Sequence, residues 1–395
     1  MKIKNYPYRS HLRRVLNKHV TTRDVNSFLK EKGILVHAFR KEDLSRIGAD
    51  YYYSMANIVD LKEKIDSPTN YKKTSRINIP TNQVDELKST LTSLTGQKLD
   101  NDEDTRVTVL SNPDGTWMFE IDYTEYKPSL INLLDVTNRK ITVNVNEQGE
   151  STSLDFSLLT PHDYKKVTEV IKQVHKNSDD FSFNFSEISL SNLTKKKRIS
   201  LFDNFFNYKH ESWSLVEITK LKVKRDKNDE EETDISKDQL AGINSALLDG
   251  KNLIENNFVK STLKNGFYFS MATMKFENQS TPEFIELVID FKSRPERCET
   301  NIVSSGFYEE DGLGIRTIKN LFDTETQNNI TFNFKNTLYQ IYVELLNSED
   351  VPEEPEINIS AEEIELLNEE IQSNKNEAAI AVNNNVHLES NKKEQ

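Results

Sequence analysis

Apolar side chains recur at every second position in several runs after residue 106, and a period of two commits those runs to strands with one face buried. RVTVL (106–110) and WMFEIDY (117–123) flank Asn112-Pro113-Asp114-Gly115, a turn signal that makes them a hairpin. Ile141, Val143 and Val145 alternate with Thr142, Asn144 and Asn146, and Leu154, Phe156 and Leu158 alternate with Asp155 and Ser157. A sheet patterned this way needs a second layer. Residues 161–176 supply one: Pro161 suits a first helical turn, and Val167, Val170, Ile171 and Val174 fall at helical spacing. Phe181, Phe183 and Phe185 mark a further strand.

The second half follows a comparable order. Trp213–Arg225 reads as a strand, Lys227–Asp234 as an acidic loop and Ser236–Asp249 as a capped helix. GFYFSMATMKFE (266–277) and FIELVIDFK (284–292) read as a second aromatic hairpin, with a strand near Ile302 and a helix from Gly314. The analogy between DGTWMFEIDY and NGFYFSMATM raises an internal duplication, 81–210 and 211–347, on turn chemistry alone.

The net charge of −13 is unevenly spread. Residues 1–76 hold seventeen Lys/Arg against eight Asp/Glu, whereas residues 348–395 hold three against thirteen. A basic end and an acidic end suit separate partners, or a tail that competes with nucleic acid for the basic end. The tail is poor in apolar residues, although Ser360 and Glu363 form a capping box ahead of Ile364, Leu367 and Ile371. One cysteine, Cys298, provides no disulfide framework, and no apolar run reaches membrane-spanning length; a cytoplasmic protein is the expectation. The abundance of Asn, Lys and Ile matches an AT-rich bacterial or phage genome.

The basic end has helical periodicity. Residues 8–18 set Leu12, Val15 and Leu16 on one face and Arg9, Arg13, Arg14 and Lys18 elsewhere. Thr21 or Thr22 caps a second helix with Val25, Phe28 and Leu29 inward, and Gly33 stops it. ILVHAF is extended, and residues 40–47 form a third helix with Leu44 and Ile47 inward. Phe28, Leu29, Lys32, Gly33 and Ile34, followed by Lys41, Leu44 and Ile47, resemble a SAP-type (helix-extension-helix) motif over residues 20–47. That resemblance implies a short nucleic-acid-binding unit. The family carries a glycine just ahead of the second helix's lysine, where this chain has Phe39 and Arg40. Arg9, Arg13, Arg14, Lys18, Arg23, Lys30, Lys32 and Arg40 are the candidate phosphate contacts, and the Tyr51-Tyr52-Tyr53 run divides between core packing and base stacking.

Candidate chemistry is sparse. Asp290-x-Lys292 on a strand, with Glu277 upstream, matches the arrangement of restriction-type nucleases, where carboxylates hold Mg²⁺ and the lysine orients water. Glu125-Tyr126-Lys127 satisfies the same short pattern, so a solvated charge pair is the competing reading. Asp311-Gly-Leu-Gly-Ile-Arg316 suggests an anion-binding turn before a helix. Lys195-Lys-Lys-Arg198 is a second basic cluster at a helix start; Arg294 and Arg297 lie beside Cys298 and would lower its pKa, but a lone thiol with no histidine nearby in sequence reads first as structural. The histidines show no metal-ligand spacing.

Together these features predict an α+β protein: a basic helical module (1–66), a linker (67–80), a mainly antiparallel sheet body with covering helices (81–347) and a disordered acidic tail (348–395). The leading functional expectation is a nucleic-acid-binding or adaptor protein that needs no cofactor, with the balance against an enzyme and that question left open, whose body contacts a protein partner or a second copy of itself. A Mg²⁺-dependent nuclease of restriction-like type, in a phage-defence setting, and a structural subunit of a complex are the alternatives.

Overall fold

The computed structural model describes residues 7–348, apart from 39, 67–70, 100–101, 113–115, 127–130, 132, 150, 178–185, 226–242, 252, 294–295 and 313. The expected strand at Phe181–Phe185, the loop 227–234 and the tail 349–395 lie outside the described residues.

Four helices open the chain: α1 (Arg9–Lys18), α2 (Thr22–Glu31), α3 (Lys41–Ala49) and α4 (Met55–Asp66). Their apolar stripes make one core in which Leu12, Val15 and Leu16 meet Val25, Phe28, Leu29, Leu44, Ile58 and Leu61. The Thr21 hydroxyl caps α2 by accepting the Asp24 amide. Gly33, at φ +73°, turns the chain out of α2. Ile131 and Leu133, from the body, complete this core. At the end of α4 the buried Lys62 donates to Asp66 at 2.6 Å, and Asp66 also accepts the Asn138 amide, so the module is fastened to the sheet.

The body is an α+β structure on one antiparallel sheet. Its strands are β1 (Lys73–Pro80), β2 (Lys98–Leu99), β3 (Asp102–Ser111), β4 (Trp117–Tyr126), β5 (Val136–Gln148), β6 (Ser151–Leu158), β7 (Trp213–Arg225), β8 (Ser245–Asp249), β9 (Phe267–Asn278), β10 (Glu283–Ser293), β11 (Glu296–Glu310) and β12 (Ile315–Lys319). The order is β2-β3-β4-β5-β6-β1-β11-β10-β9-β7-β8, with β12 also on β11. β1 joins the two halves through the pair Thr74–Thr300, where Thr74 Oγ1 donates to the Thr300 carbonyl at 2.8 Å and Ser75 Oγ to the Cys298 carbonyl at 2.9 Å. β1 pairs with the last strand of its run, β6, whereas β7 pairs with the first strand of the following hairpin, β9.

The two halves are covered on opposite faces. α5 (Val84–Leu94) and α6 (Pro161–Asn177) pack on Ile77, Ile79, Phe119, Ile121, Val143, Leu154 and Phe156. α7 (Lys195–Asn207) and α9 (Thr324–Asn347), with the short α8 (Asn257–Lys264), pack on Phe269, Met274, Phe276, Leu287, Ile289 and Ile302. Strand register fixes the relation: Ile289 pairs with Thr300 and Thr300 with Thr74, and in β1 Thr74 points away from Ile77. Each half therefore keeps one face without its own helical layer.

Three expectations are corrected. The stretch 67–80, read as a basic linker, contains the central strand β1. Its apolar residues are few because the face of Thr74, Arg76 and Asn78 buries polar groups. The helix expected over 236–249 is, in its described part, the edge strand β8, where Ala246 and Leu248 pack inward by alternation. The helix expected from Gly314 is first the strand β12. Gly312 and Gly314 take positive φ in a β11–β12 turn, and α9 begins at Thr324, where the Asp323 carboxylate accepts the Thr326 amide at 2.9 Å.

The polar face of β1 is closed by a buried cluster. The Asp155 carboxylate accepts Arg76 Nε and Nη2 at 3.0 and 2.8 Å and Lys335 Nζ of α9 at 2.5 Å. Ser153 Oγ donates to it at 3.1 Å, and Arg76 also donates to Asn336 while stacking on Phe332. Burial alone would raise the Asp155 pKa; Lys335 and Arg76 outweigh it and hold the group down to about 2.

Candidate functional site

Because Leu12, Val15 and Leu16 face the core, helical geometry turns Arg13, Arg14 and Lys18 to solvent on α1, and the same logic exposes Arg23 and Lys30 on α2. α1 and α3 run antiparallel. Arg9 at the start of α1 pairs with Asp50 at the end of α3, and the Gly48 backbone lies against Leu16. The other end of the pair gathers cations around His19. Its pKa is lowered first by burial and then by the charges of Arg14, Lys18 and Lys41, so three cations from two helices converge there.

Among the described residues no carboxylate lies within ion-pair distance of Arg13, Arg14, Lys18, Arg23, Lys30, Arg40 or Lys41. Arg9 is engaged by Asp50. Lys32 has a structural role: its ammonium donates to Asn57 Oδ1 at 2.8 Å and the Tyr52 carbonyl at 3.4 Å, over the rings of Phe28 and Tyr53, and so ties α2 to the start of α4. Tyr53 is fully buried and stacked on Phe28, with its hydroxyl donating to the Gly48 carbonyl at 2.9 Å. Tyr52 is 79 % exposed. Lys41 and His19 are the members of the cluster that spacing did not reveal, because the antiparallel packing of α1 on α3 brings them together.

The nuclease-like triplet is not assembled. Asp290 and Lys292 share a face of β10, and the lysine bonds the aspartate directly. Glu277 pairs across the hairpin with Phe284, six residues from Asp290, or about 20 Å along the strand. It accepts the Tyr308 hydroxyl at 2.5 Å. The carboxylate beside Asp290 is Glu299, its register partner on β11, which sequence spacing could not identify. Glu299 is engaged by Arg297, lies 3.6 Å from Lys73 and 4.0 Å from Lys292, and so belongs to a charge-compensated patch. In the competing triplet, Glu125 faces Arg139 at 3.3 Å.

The remaining motifs are absorbed by the fold. Arg198 donates to the Leu190 and Leu193 carbonyls and stacks on Tyr268, and Lys197 donates to the Ser348 carbonyl. Gly312 and Gly314 serve a hairpin and start no helix. The Cys298 thiol is pushed up to about 12, mainly by desolvation, which matches the reading of a structural thiol and not that of a thiolate favoured by its arginine neighbours.

No family model matches the chain, and no curated protein does. Among solved structures, the di-domain ARO/CYC StfQ from the steffimycin biosynthetic pathway aligns over 69 % of this chain and 96 % of its own at 8 % identity, with a TM-score of 0.15. A likeness at that level carries no structural or functional argument. No described helix is long and apolar enough to cross a membrane.

Proposed function

We propose that the N-terminal module binds nucleic acid through phosphate contacts, with the sheet body as a platform for protein contacts. The observation that carries this reading is the set of uncompensated cations on α1, α2 and the start of α3, all exposed except the half-buried Lys41. In the body, Arg76, Arg139, Lys140, Lys220, Arg297 and Lys335 have carboxylate partners, while Lys222 and Lys224 on β7 form a smaller pair of cations without one at ion-pair distance among the described residues. Leaving like charges together opposes folding unless a polyanion relieves it, and phosphate backbones do so by releasing counterions. Arg13, Arg14, Lys18, Arg23, Lys30, Arg40 and Lys41 are assigned to phosphates, a role that reads no base sequence. The exposed Leu247 and Ile315 on the edge strands β8 and β12 favour a protein-contact role for the body.

The test is salt dependence. Fluorescence anisotropy with a labelled duplex, repeated across salt concentrations, should give a steep linear fall of log affinity against log salt. Replacing Arg13 and Arg14 together by Ala should lower that slope by about two, since each phosphate contact contributes about 0.9. The same complex should raise the His19 pKa, because phosphates cancel the cations that lower it. A salt-insensitive complex, or an unchanged His19 titration on binding, refutes the reading.

A further inference from the structure

The N-terminal half of α9 does not lie flush on the polar face of β4, β5 and β6. Between them is a cleft of about 680 Å³, walled by Met118, Asn144, Asn146 and Ser157 from the strands and by Asn328 and Phe332 from the helix. That volume suits a small organic ligand, and the wall combines amides and hydroxyls with a few apolar surfaces. At the base of the cleft are Asp155 and Lys335.

Charge at that base does not balance. Arg76 and Lys335 are both almost fully buried, their side chains 3 % and 5 % exposed, and they share the single carboxylate of Asp155. Arg76 has further partners in Asn336 and the Phe332 ring, whereas Asp155 is the hydrogen-bond acceptor the structure gives the Lys335 ammonium, which carries three donors. Burial and the Arg76 charge both act to lower the Lys335 pKa. Buried cations are ordinarily matched by anions. Here two cations and one anion leave one positive charge in excess, and the cation that borders the open space is Lys335.

We propose that this cleft is a binding site for a small polar organic anion, a carboxylate, whose charge is taken by Lys335 Nζ and whose polar body is held by Asn144, Asn146 and Asn328. The site is separate from the N-terminal module. Among the described residues Glu325, exposed at the mouth, is the one carboxylate in the wall besides Asp155, and it repels such a ligand at long range.

Titration calorimetry on the full chain with acetate, succinate and inorganic phosphate, and with acetamide as the neutral counterpart, tests the assignment. The carboxylates should bind with affinity of millimolar order or better, phosphate more weakly, and acetamide not measurably. Lys335→Met keeps the buried stem and leaves Arg76 and Asp155 paired one to one; it should weaken carboxylate binding about tenfold or more, as loss of a charge-assisted hydrogen bond does. Glu325→Gln, an exposed change that spares the fold, should tighten it about threefold. Opposite effects of the two variants support the site, and the Glu325→Gln arm decides should Lys335→Met not fold. Carboxylates that bind neither variant nor parent, equal affinity in the parent and Lys335→Met, or no gain with Glu325→Gln overturns it.

Discussion

The cluster beneath α9 makes a quantitative demand on stability that separates an electrostatic role from mere packing. Replacing Asp155 by Asn removes the only formal negative charge between two buried cations while preserving size and shape. Arg76 and Lys335 then face each other across a neutral amide, with side chains at most 5 % exposed and so little screened by solvent. Breaking a buried ion pair by removing one partner costs about 3–5 kcal/mol, and two stranded cations place this variant toward the upper end at neutral pH. Part of that cost is pH-dependent. The Asp155 pKa is held at about 2 in the folded chain against an ordinary 3.8, so the carboxylate contributes about 2 kcal/mol of stability. Because the folded value is depressed, that contribution is fully present above pH 4 and is lost as pH falls toward and through 2.

Urea unfolding of the parent and of Asp155→Asn at pH 7, 5, 3 and 2 measures both parts. The difference in unfolding free energy should be about 4 kcal/mol at pH 7 and 5 and should narrow by about 2 kcal/mol by pH 2, with the m-value unchanged. Lys335→Met should cost far less at every pH, because it leaves Arg76 and Asp155 matched. A cost below about 1 kcal/mol for Asp155→Asn at pH 7, or a difference that stays constant down to pH 2, would refute the reasoning.

Two further outcomes follow from the seams of the sheet. Gly306→Ala would drive a Cβ into the Ile318 carbonyl and to 2.9 Å from the Phe284 ring where β11 meets β12; a loss of about 2 kcal/mol in urea unfolding is expected, and a change within about 0.5 kcal/mol would contradict the close approach. The half-buried Cys298 thiol, pushed up to about 12, should react slowly with a disulfide reagent at pH 8 in the folded protein and faster once urea unfolds it; prompt labelling of the native chain would contradict the raised pKa.

What sequence could reveal followed the range of the interactions. α1, α2 and α3, the hairpins β3–β4 and β9–β10, and α6 rest on contacts between residues close in the chain, and alternation or helical spacing marked each of them. β1 escaped because KTSRINIP satisfies two different environments. Ile77 and Ile79 meet α5 and α6, while the opposite face places Arg76 against residues 79 and 260 positions away. A charge surrounded by local polar sequence reads as solvated, and nothing nearby in the chain shows that Asp155 and Asn336 will enclose it. The same limit governed the candidate sites. Asp290 and Lys292 are two residues apart and could be placed on one face, but Glu299, which completes their patch, depends on the β10–β11 register. Lys41 joins Arg14 and Lys18 only through the packing of α1 on α3.

The arrangement of covering layers explains where charge remains available. With helices on opposite faces of one sheet, β1 is the strand at which buried apolar side chains change sides, so its polar positions cannot be left to solvent as they are in an ordinary half-covered sheet. Arg76, Asp155 and Lys335 supply the compensation at that strand. The N-terminal module has no such obligation. Its small core is closed by aliphatic and aromatic residues, with Lys32 and Lys62 as the cations tied into it, so Arg13, Arg14, Lys18, Arg23 and Lys30 are left on the surface, the charge on which the proposed phosphate contacts rest.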